Sequence, residues 1–527
     1  MSDSFVQKGL SSNSVGMISA AVIGISCIAP AYTLSGGLGP TASEVGEHLP
    51  AIFLVGFIPM FLVAIGYREL NSSMPDSGTT FTWATRAFGP VIGWLGGWGL
   101  LAATVLVLSN LAGIAVSFFY LLLAQVFGKP ELADLANNTA VNVATCFVFI
   151  VIAAYISYRG MDTTKTLQYA LVGFQLVVLV LFSCMALFKA NTGQAFDATP
   201  ISLEWLNPFG VESFSAFAAG IALSVFIYWG WDVVLTMSEE TEGAHSTPGR
   251  AATATILVIV FLYQLIAFAT VSFSGTSDGR YGLGNQAIQA NIFAELAGPV
   301  MGPLAILMSL AVLGSSAASL QSTFISPART LLAMGYYKAL PKSFAHISPK
   351  HQSPDVATWV AAGISFAFYA IMRVISEAVL WDTITALGMM VCFYYAITAF
   401  ACVWYFRKES WRSAKTLVSQ LVCPLIGGIL LLVFFVQTSY DAMDPSYGSG
   451  SSLFGIGLVF ILGVAVLVSG LLVLAVTWIR SPDFFRSKGL RRGLPTDDVV
   501  LMEDTTISVF DHPAETETVA STAQRKP

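Results

Sequence analysis

Twelve apolar runs divide the chain, at about 15–40, 51–70, 88–127, 140–158, 167–188, 214–237, 252–274, 299–333, 356–375, 379–406, 417–436 and 454–479. About 20 helical residues cross a hydrocarbon core of about 30 Å, so each run is long enough to span a bilayer. The longer ones leave room for tilt or for ends that project into water. A β-barrel is excluded, because these are continuous apolar stretches and not ten-residue alternations. Only 11% of the residues are charged, against about 25% in a soluble chain, which leaves too few charges to cover a water-facing surface. The N-terminal MSDSFVQKGLSSNS has no basic region, short apolar core or small-residue cleavage site, so the first run is expected to stay in the membrane.

Placing the N-terminus and every second loop in the cytoplasm puts 21 of the 25 Lys and Arg there and leaves only Lys129, Lys189, Arg280 and Arg373 outside. That imbalance obeys the positive-inside rule and predicts a cell-membrane protein with both termini cytoplasmic. The expected divisions are a cytoplasmic N-terminus (1–14), a ten-helix core (15–406), two further spans (407–479) and a disordered cytoplasmic tail (480–527), which begins basic and turns acidic. The net charge of −6 offers no overall basic field for nucleic acid. All six cysteines, Cys27, Cys146, Cys184, Cys392, Cys402 and Cys423, fall in apolar runs without zinc spacing and read as buried thiols. His245, His346 and His351 show no ligand spacing either, so neither a metal nor a cofactor is expected.

Two runs carry interruptions. The first reads AAVIGISCIAPAYTLSGGLGP, with Gly24 and Pro30 bracketing a short stretch at mid-span, and proline both removes a donor and clashes with the preceding turn. The sixth reads SAFAAGIALSVFIYWGWDVVLTMSEE, with Gly230 between bulky aromatics and Asp232 two residues on. The two lie five runs apart, as an inverted repeat of five plus five helices requires, and paired interruptions of this kind point to a transport site near the midplane. Unwinding exposes backbone groups that hydrocarbon cannot satisfy. A polar substrate can: N–H groups suit a carboxylate, and carbonyls suit an ammonium. The alternative is an ordinary packing kink, since Gly and Pro are common in membrane helices.

The loop after the second run, PDSGTTFTWATRAFGP (75–90), is followed by GWLGGW (93–98). Tyr158-Arg159-Gly160 with Gln168, then Phe226 through Asp232 with Glu239, Glu240 and Pro248, come next in order. Last come Ala318 to Gln321, Ser326 to Arg329, Leu340-Pro341, Phe344 and Pro354. Together these resemble the hallmarks of amino acid permeases of the amino acid/polyamine/organocation (APC) superfamily, over the first ten runs. The resemblance implies an all-α membrane protein with a LeuT-like fold, twelve transmembrane helices with a 5+5 inverted repeat, and alternating access to a site between helices 1 and 6. That site would comprise Gly24, Ile25, Ser26, Cys27 and Ile28 with Phe226, Gly230 and Asp232, Phe226 matching the family's gating aromatic. Two departures stand out. Family members commonly carry Gly-Ser-Gly at the helix 1 break, where counting back from Pro30 gives Ile23-Gly24-Ile25. Some relatives place a coupling lysine fifteen residues after the glycine matching Gly160; here that position is Gln175, which does not titrate but could tether helices 1, 5 and 8.

Asp232 is an acid well inside a span, where an ionisable group costs at least ~2.5 kcal/mol unless it is paired or lines a wet cavity. Relatives use this place for substrate contact or pH-sensitive gating; the plainer reading is a cap on the helix 6 break. Glu240 and Arg329 fall at cytoplasmic ends of helices, as a gate or as interface anchors, while Ser319 and Gln321 are polar groups within a span that suit coupling or interhelical hydrogen bonds. The expected function is a non-enzymatic permease that moves an amino acid across the membrane, with protons or by exchange. A polyamine or ethanolamine-type amine permease is the alternative. A channel would favour a continuous polar stripe and an enzyme a cluster of catalytic groups, and neither pattern is present.

Overall fold

The computed structural model describes residues 8–486, apart from 376 and 449, together with residue 490. The first apolar run folds as α1 (Met17–Ile28) and α2 (Pro30–Val45), and the second as α3 (Leu49–Ser73). The conserving of a single helix through the first run is prevented at Ala29, which sits in the left-handed region at φ 56°, ψ 62°. Pro30, which follows it, carries no N–H to return to the Ser26 carbonyl. The motif-bearing loop after α3 winds into α4 (Thr80–Phe88), and Gly89 and Pro90 separate it from α5 (Pro90–Phe127).

α6 (Thr139–Tyr158), α7 (Met161–Asn191) and α8 (Phe214–Ile227) follow. Asn138 caps α6 by accepting from the Val141 N–H at 3.2 Å, and Ser213 caps α8 by accepting from the Ala216 N–H at 3.1 Å. Residues 228–232 are unwound, and the sixth run resumes as the single turn α9 (Val233–Thr236). The eighth run, expected as one helix, is divided into α11 (Ile292–Met301), α12 (Ala305–Thr323) and α13 (Ile325–Tyr336), after α10 (Thr247–Ser274). The remainder comprises α14 (Asp355–Ile375), α15 (Glu377–Phe406), α16 (Ala414–Leu417), α17 (Cys423–Asp441), α18 (Leu458–Arg480) and α19 (Pro482–Phe485), with a short antiparallel hairpin, β1 (Ser452–Leu453) and β2 (Ile456–Gly457).

Among the described residues, ten helical stretches are long and apolar enough to cross a membrane; the first, Met17–Ser73, contains α1, α2 and α3, and α8 is shorter. α1 packs against α7, α10 and α12, α2 against α8 and α12, and α3 against α8, α10, α15 and α17. The membrane window of α15 is 78% buried within the protein and that of α18 only 17%, which places α15 inside the bundle and α18 on its lipid-facing rim.

Two expectations are corrected. Cys184 is exposed on the outer face of α7, while the other five cysteines are buried: an apolar run in a membrane protein has a lipid face as well as a protein face, and composition alone does not separate them. The chain after Arg480 is not irregular throughout, because Pro482–Phe485 is helical with Phe484 and Phe485 buried. Residues 487–489 and 491–527 of the expected tail lie outside the described residues. A lipid-soluble thiol reagent is expected to modify Cys184 readily and to leave Cys146 unmodified, as read by peptide-resolved mass spectrometry of membranes. Equal modification of both would misplace α7.

Candidate functional site

The interruption of the sixth run meets the end of α1. Gly230 has φ +112°, and a Cβ there would lie 2.9 Å from the Cys27 carbonyl carbon, 3.0 Å from its oxygen and 3.1 Å from the Ile28 nitrogen. Two backbones thus touch where both leave helical geometry, a contact that glycine alone permits. The loosened carbonyls are supplied by side chains. The Ser319 hydroxyl donates to the Cys27 carbonyl at 3.1 Å, and the Tyr263 hydroxyl donates to the Ile227 carbonyl at 2.9 Å. Thr33 bonds Tyr263 at 2.7 Å, which joins α2 and α10 at this level, and Ser26 bonds Ser322 at 3.1 Å. Ser26, Cys27, Ile28, Gly230, Ser319 and Ser322 are therefore gathered at one crossing, with Ile25 and Phe226 buried on the helices that enter it.

Gly24 does not lie at the break. It lies one turn before the end of α1, where a Cβ would come 2.7 Å from the Thr255 hydroxyl and 2.8 Å from a Val234 methyl; its role is close packing on α9 and α10. The Gly24–Ile28 amides belong to a helix, and the interruption is the single residue Ala29.

Asp232 is 2% exposed and begins α9, yet its side chain caps no backbone N–H there, so the local-cap reading is corrected. Its carboxylate accepts instead from the Tyr395 hydroxyl at 2.8 Å and the Tyr394 hydroxyl at 3.1 Å, both on α15. The Trp229 indole donates to Tyr394 at 2.6 Å. Trp231 packs edge-on against Tyr67 with ring centroids 5.0 Å apart and lies 5.2 Å from Tyr395. Three buried polar side chains near these elements, Tyr228, Trp231 and Gln175, find no hydrogen-bond partner among the described residues. The expected Gln175 tether is therefore not formed. Gln168 ties α7 to α12 instead, donating to the Ala318 carbonyl at 2.9 Å and to Gln321 at 2.6 Å, and Gln321 in turn donates to Thr164 at 2.9 Å. Gln321 thus belongs to a helix–helix tie and not to the crossing.

One end of the bundle holds both terminal segments, and there Arg329 grips Glu240 with two bonds of 2.9 and 3.0 Å, both side chains 1% exposed. The N-terminal strap runs over this pair, with the Ser14 and Val15 N–H groups donating to the Glu240 carbonyl at 2.9 and 3.0 Å. Lys8 reaches under it, 2.9 Å from Asp76 and 2.6 Å from Glu239, and Tyr337 donates to Asp76 at 2.5 Å. Burial alone would lower the Lys8 ammonium, but Asp76 and Glu239 outweigh it and hold it well above its ordinary value. Burial alone would raise Asp76, but Lys8 and Tyr337 hold it below the usual carboxylate range. Asp76 contributes stability from its free-carboxyl range upward, lost only as pH falls through its depressed folded value. Lys8 contributes below its free range, lost only as pH rises through its raised folded value, so the tie is intact across neutral pH.

Lys8, Asp76, Glu239, Tyr337, Tyr394 and Tyr395 were not among the expected site residues. Asp76 and Glu239 lie inside the motifs at 75–90 and 226–248, which is a signal; in sequence Lys8 is one more cytoplasmic cation, and two adjacent tyrosines in an apolar run are indistinguishable from core. At the opposite end, a cavity of about 480 Å³ lined by Glu44, Glu47, His48, Glu212 and Asp278, among others, lies away from the crossing.

Two interrupted helices that cross at their unwound residues, within a bundle of membrane helices, define a multi-pass membrane protein of the LeuT-like class. A crystal structure of MhsT in complex with L-phenylalanine shares this fold, with a TM-score of 0.55 at 15% identity, covering 79% of this chain and 98% of that one. Residues 13–479 match the amino acid permease family model, and the chain belongs to that family. It is similar to the branched-chain amino acid permease BcaP of Bacillus subtilis, 24% identical over 61% of this chain and 67% of that protein. It is also similar to the low-affinity putrescine importer PlaP of Escherichia coli, 20% identical over 81% of this chain and 89% of that one. The serine/threonine exchanger SteT of Bacillus subtilis is 23% identical over 79% and 88% of the two chains.

Replacing Lys8 by Met leaves Asp76 and Glu239 buried without their shared cation, a loss of about 3–5 kcal/mol for breaking a buried pair. The Lys8→Met protein is expected to melt at lower temperature in detergent, and Asp76→Asn added to it should recover part of the loss. An unchanged melting temperature in Lys8→Met would show the tie to be energetically idle.

Proposed function

We propose that this protein is a secondary active transporter, not an enzyme, that carries an amino acid across the cell membrane by alternating access. The observation that carries this reading is the crossing of Gly230 with Cys27 and Ile28. Substrate would bind beside it, at Ser26 to Ile28 and Phe226 to Asp232, where backbone groups leave the helical ladder and where Tyr228 and Trp231 hold donors without a partner among the described residues. Ten helices in a 5+5 repeat over residues 15–406, with two further spans over 407–479, suit the family match, and the end of the bundle that carries Lys8 and α19 would be the cytoplasmic face. Arg329–Glu240 and the Lys8 tie close that face in this conformation, and inward release requires that they part. Coupling to protons or to exchange would not run through Gln175, which carries no titratable group.

An amine is the second reading, and Asp232 favours it. The carboxylate is buried with two phenols and pairs with no cation among the described residues, so an ammonium on the substrate would supply the missing charge. The putrescine importer among the relatives agrees with this reading.

Uptake by purified protein in liposomes, over a panel of amino acids and amines and with an imposed pH gradient, tests both readings. Gly230→Ala should insert normally and lose at least about 90% of uptake, because its Cβ meets backbone that cannot yield. Gly173→Ala, whose Cβ would meet nothing within 4 Å, should keep the parent rate. Full uptake by Gly230→Ala would move the site elsewhere. Asp232→Asn keeps size and acceptor but removes the charge. It should weaken an amine about tenfold, roughly 1.4 kcal/mol, while leaving a neutral amino acid nearly unchanged if the amine reading holds. Equal affinities in parent and variant for every substrate would leave Asp232 only as a link between the start of α9 and α15.

A further inference from the structure

We propose that the short helix α19 is a brake on transport, a C-terminal clip that holds the cytoplasmic face shut through α4. Phe484 is fully buried and stacks on Phe81 of α4, with ring centroids 5.5 Å apart and planes at 26°. Phe485 stacks on Trp478 at the end of α18, 4.7 Å apart at 8°, and meets Phe484 edge-on at 5.1 Å. The clip is therefore anchored on α18 through one ring and grips α4 through the other. Trp94, Met334, Tyr337 and Leu490 complete the apolar cluster around it.

What α4 does explains why this contact matters. Asp76, at the turn into α4, accepts from the Gly78 N–H at 2.7 Å and from the Thr82 hydroxyl at 2.7 Å, so the first turn of α4 fixes the carboxylate that holds Lys8. Phe81 lies between those two donors in sequence, and its ring is 6.3 Å from that of Tyr337, the residue that donates to the same carboxylate. One helix thus carries the N-terminal ion-pair lock through Asp76 and the C-terminal aromatic lock through Phe81. Any inward opening that moves α4 away from Lys8 or Tyr337 must also slide Phe81 from under Phe484, exposing two aromatic rings to water or lipid headgroups. The rim position of α18 suits an anchor that stays put while the interior helices move. A segment that costs energy only in the open state lowers the population of that state without touching the substrate site.

The clip rests on the reading that the cytoplasmic closure opens during transport, and the test separates the two. Cys27 is 2% exposed at the crossing, so its modification reports opening. Inside-out vesicles bearing the full-length protein are exposed to a membrane-impermeant thiol reagent, and the rate at Cys27 is read peptide by peptide alongside the initial rate of uptake. Phe484→Ala should speed Cys27 modification about tenfold and raise inward-opening-limited uptake. Phe484→Leu, which keeps an apolar body without the ring, should act in the same direction but less, and it serves if the alanine variant does not accumulate. Lys8→Met should speed modification as well. A rate faster in Lys8→Met but unchanged or slower in the Phe484 variants overturns the clip and leaves the closure standing. Parent-like rates in all three overturn the closure reading, and the clip with it.

Discussion

The contact on which the structure depends is one of backbone against backbone. Hydrocarbon offers no partner to an unpaired carbonyl or N–H, so a helix can be interrupted in the membrane only where neighbouring groups take over its hydrogen bonds. Here Pro30 and Ala29 interrupt one helix and Gly230 another, and the two interruptions are set against each other. The hydroxyls of Ser319 and Tyr263 take the carbonyls of Cys27 and Ile227 that the helices give up. Much of the interior polarity follows: Thr33, Ser26 and Ser322 lie at this level because the crossing draws hydroxyls to it.

Charge is distributed by the same rule. The buried ion pairs, Arg329 with Glu240 and Lys8 with Asp76 and Glu239, are at the end that carries the terminal segments, where water can reach the groups once they separate. Such pairs add little to stability when whole and cost several kcal/mol when broken one-sidedly, which suits the proposed closure, whose contacts would part together. Asp232 is the contrast. Two tyrosine hydroxyls donate to its carboxyl group, and no cation pairs with it among the described residues.

Much of this was legible in the chain. Runs of about twenty apolar residues admit little besides membrane helices, and the motif between Pro75 and Pro90 together with the Gly230 and Pro30 interruptions pointed to the family and to the crossing. Gly24 packs where the sequence suggests unwinding, because a glycine needed for close packing and one needed for unwinding look alike in sequence; only its neighbours Thr255 and Val234 distinguish them. Spacing from Gly160 points to Gln175 as a tether, but the bond to α12 is made by Gln168. Cys184 is exposed against expectation because an apolar run does not disclose which of its faces meets lipid.

The sequence by itself determined the element types, the membrane environment and the two points of interruption, since each follows from local covalent facts: apolar side chains in a row, a proline without an N–H, a glycine without a Cβ. Only the tertiary structure decided the partners. Lys8 and Asp76 are 68 residues apart and Lys8 and Glu239 are 231 apart, and Asp232 meets Tyr394 and Tyr395 across more than 160 positions. Nothing local distinguishes a lysine bound for a carboxylate from one bound for water, or a phenylalanine after the last span from one in an irregular tail. Those assignments arise from which surfaces remain to be covered once the helices have packed, a property of the whole bundle.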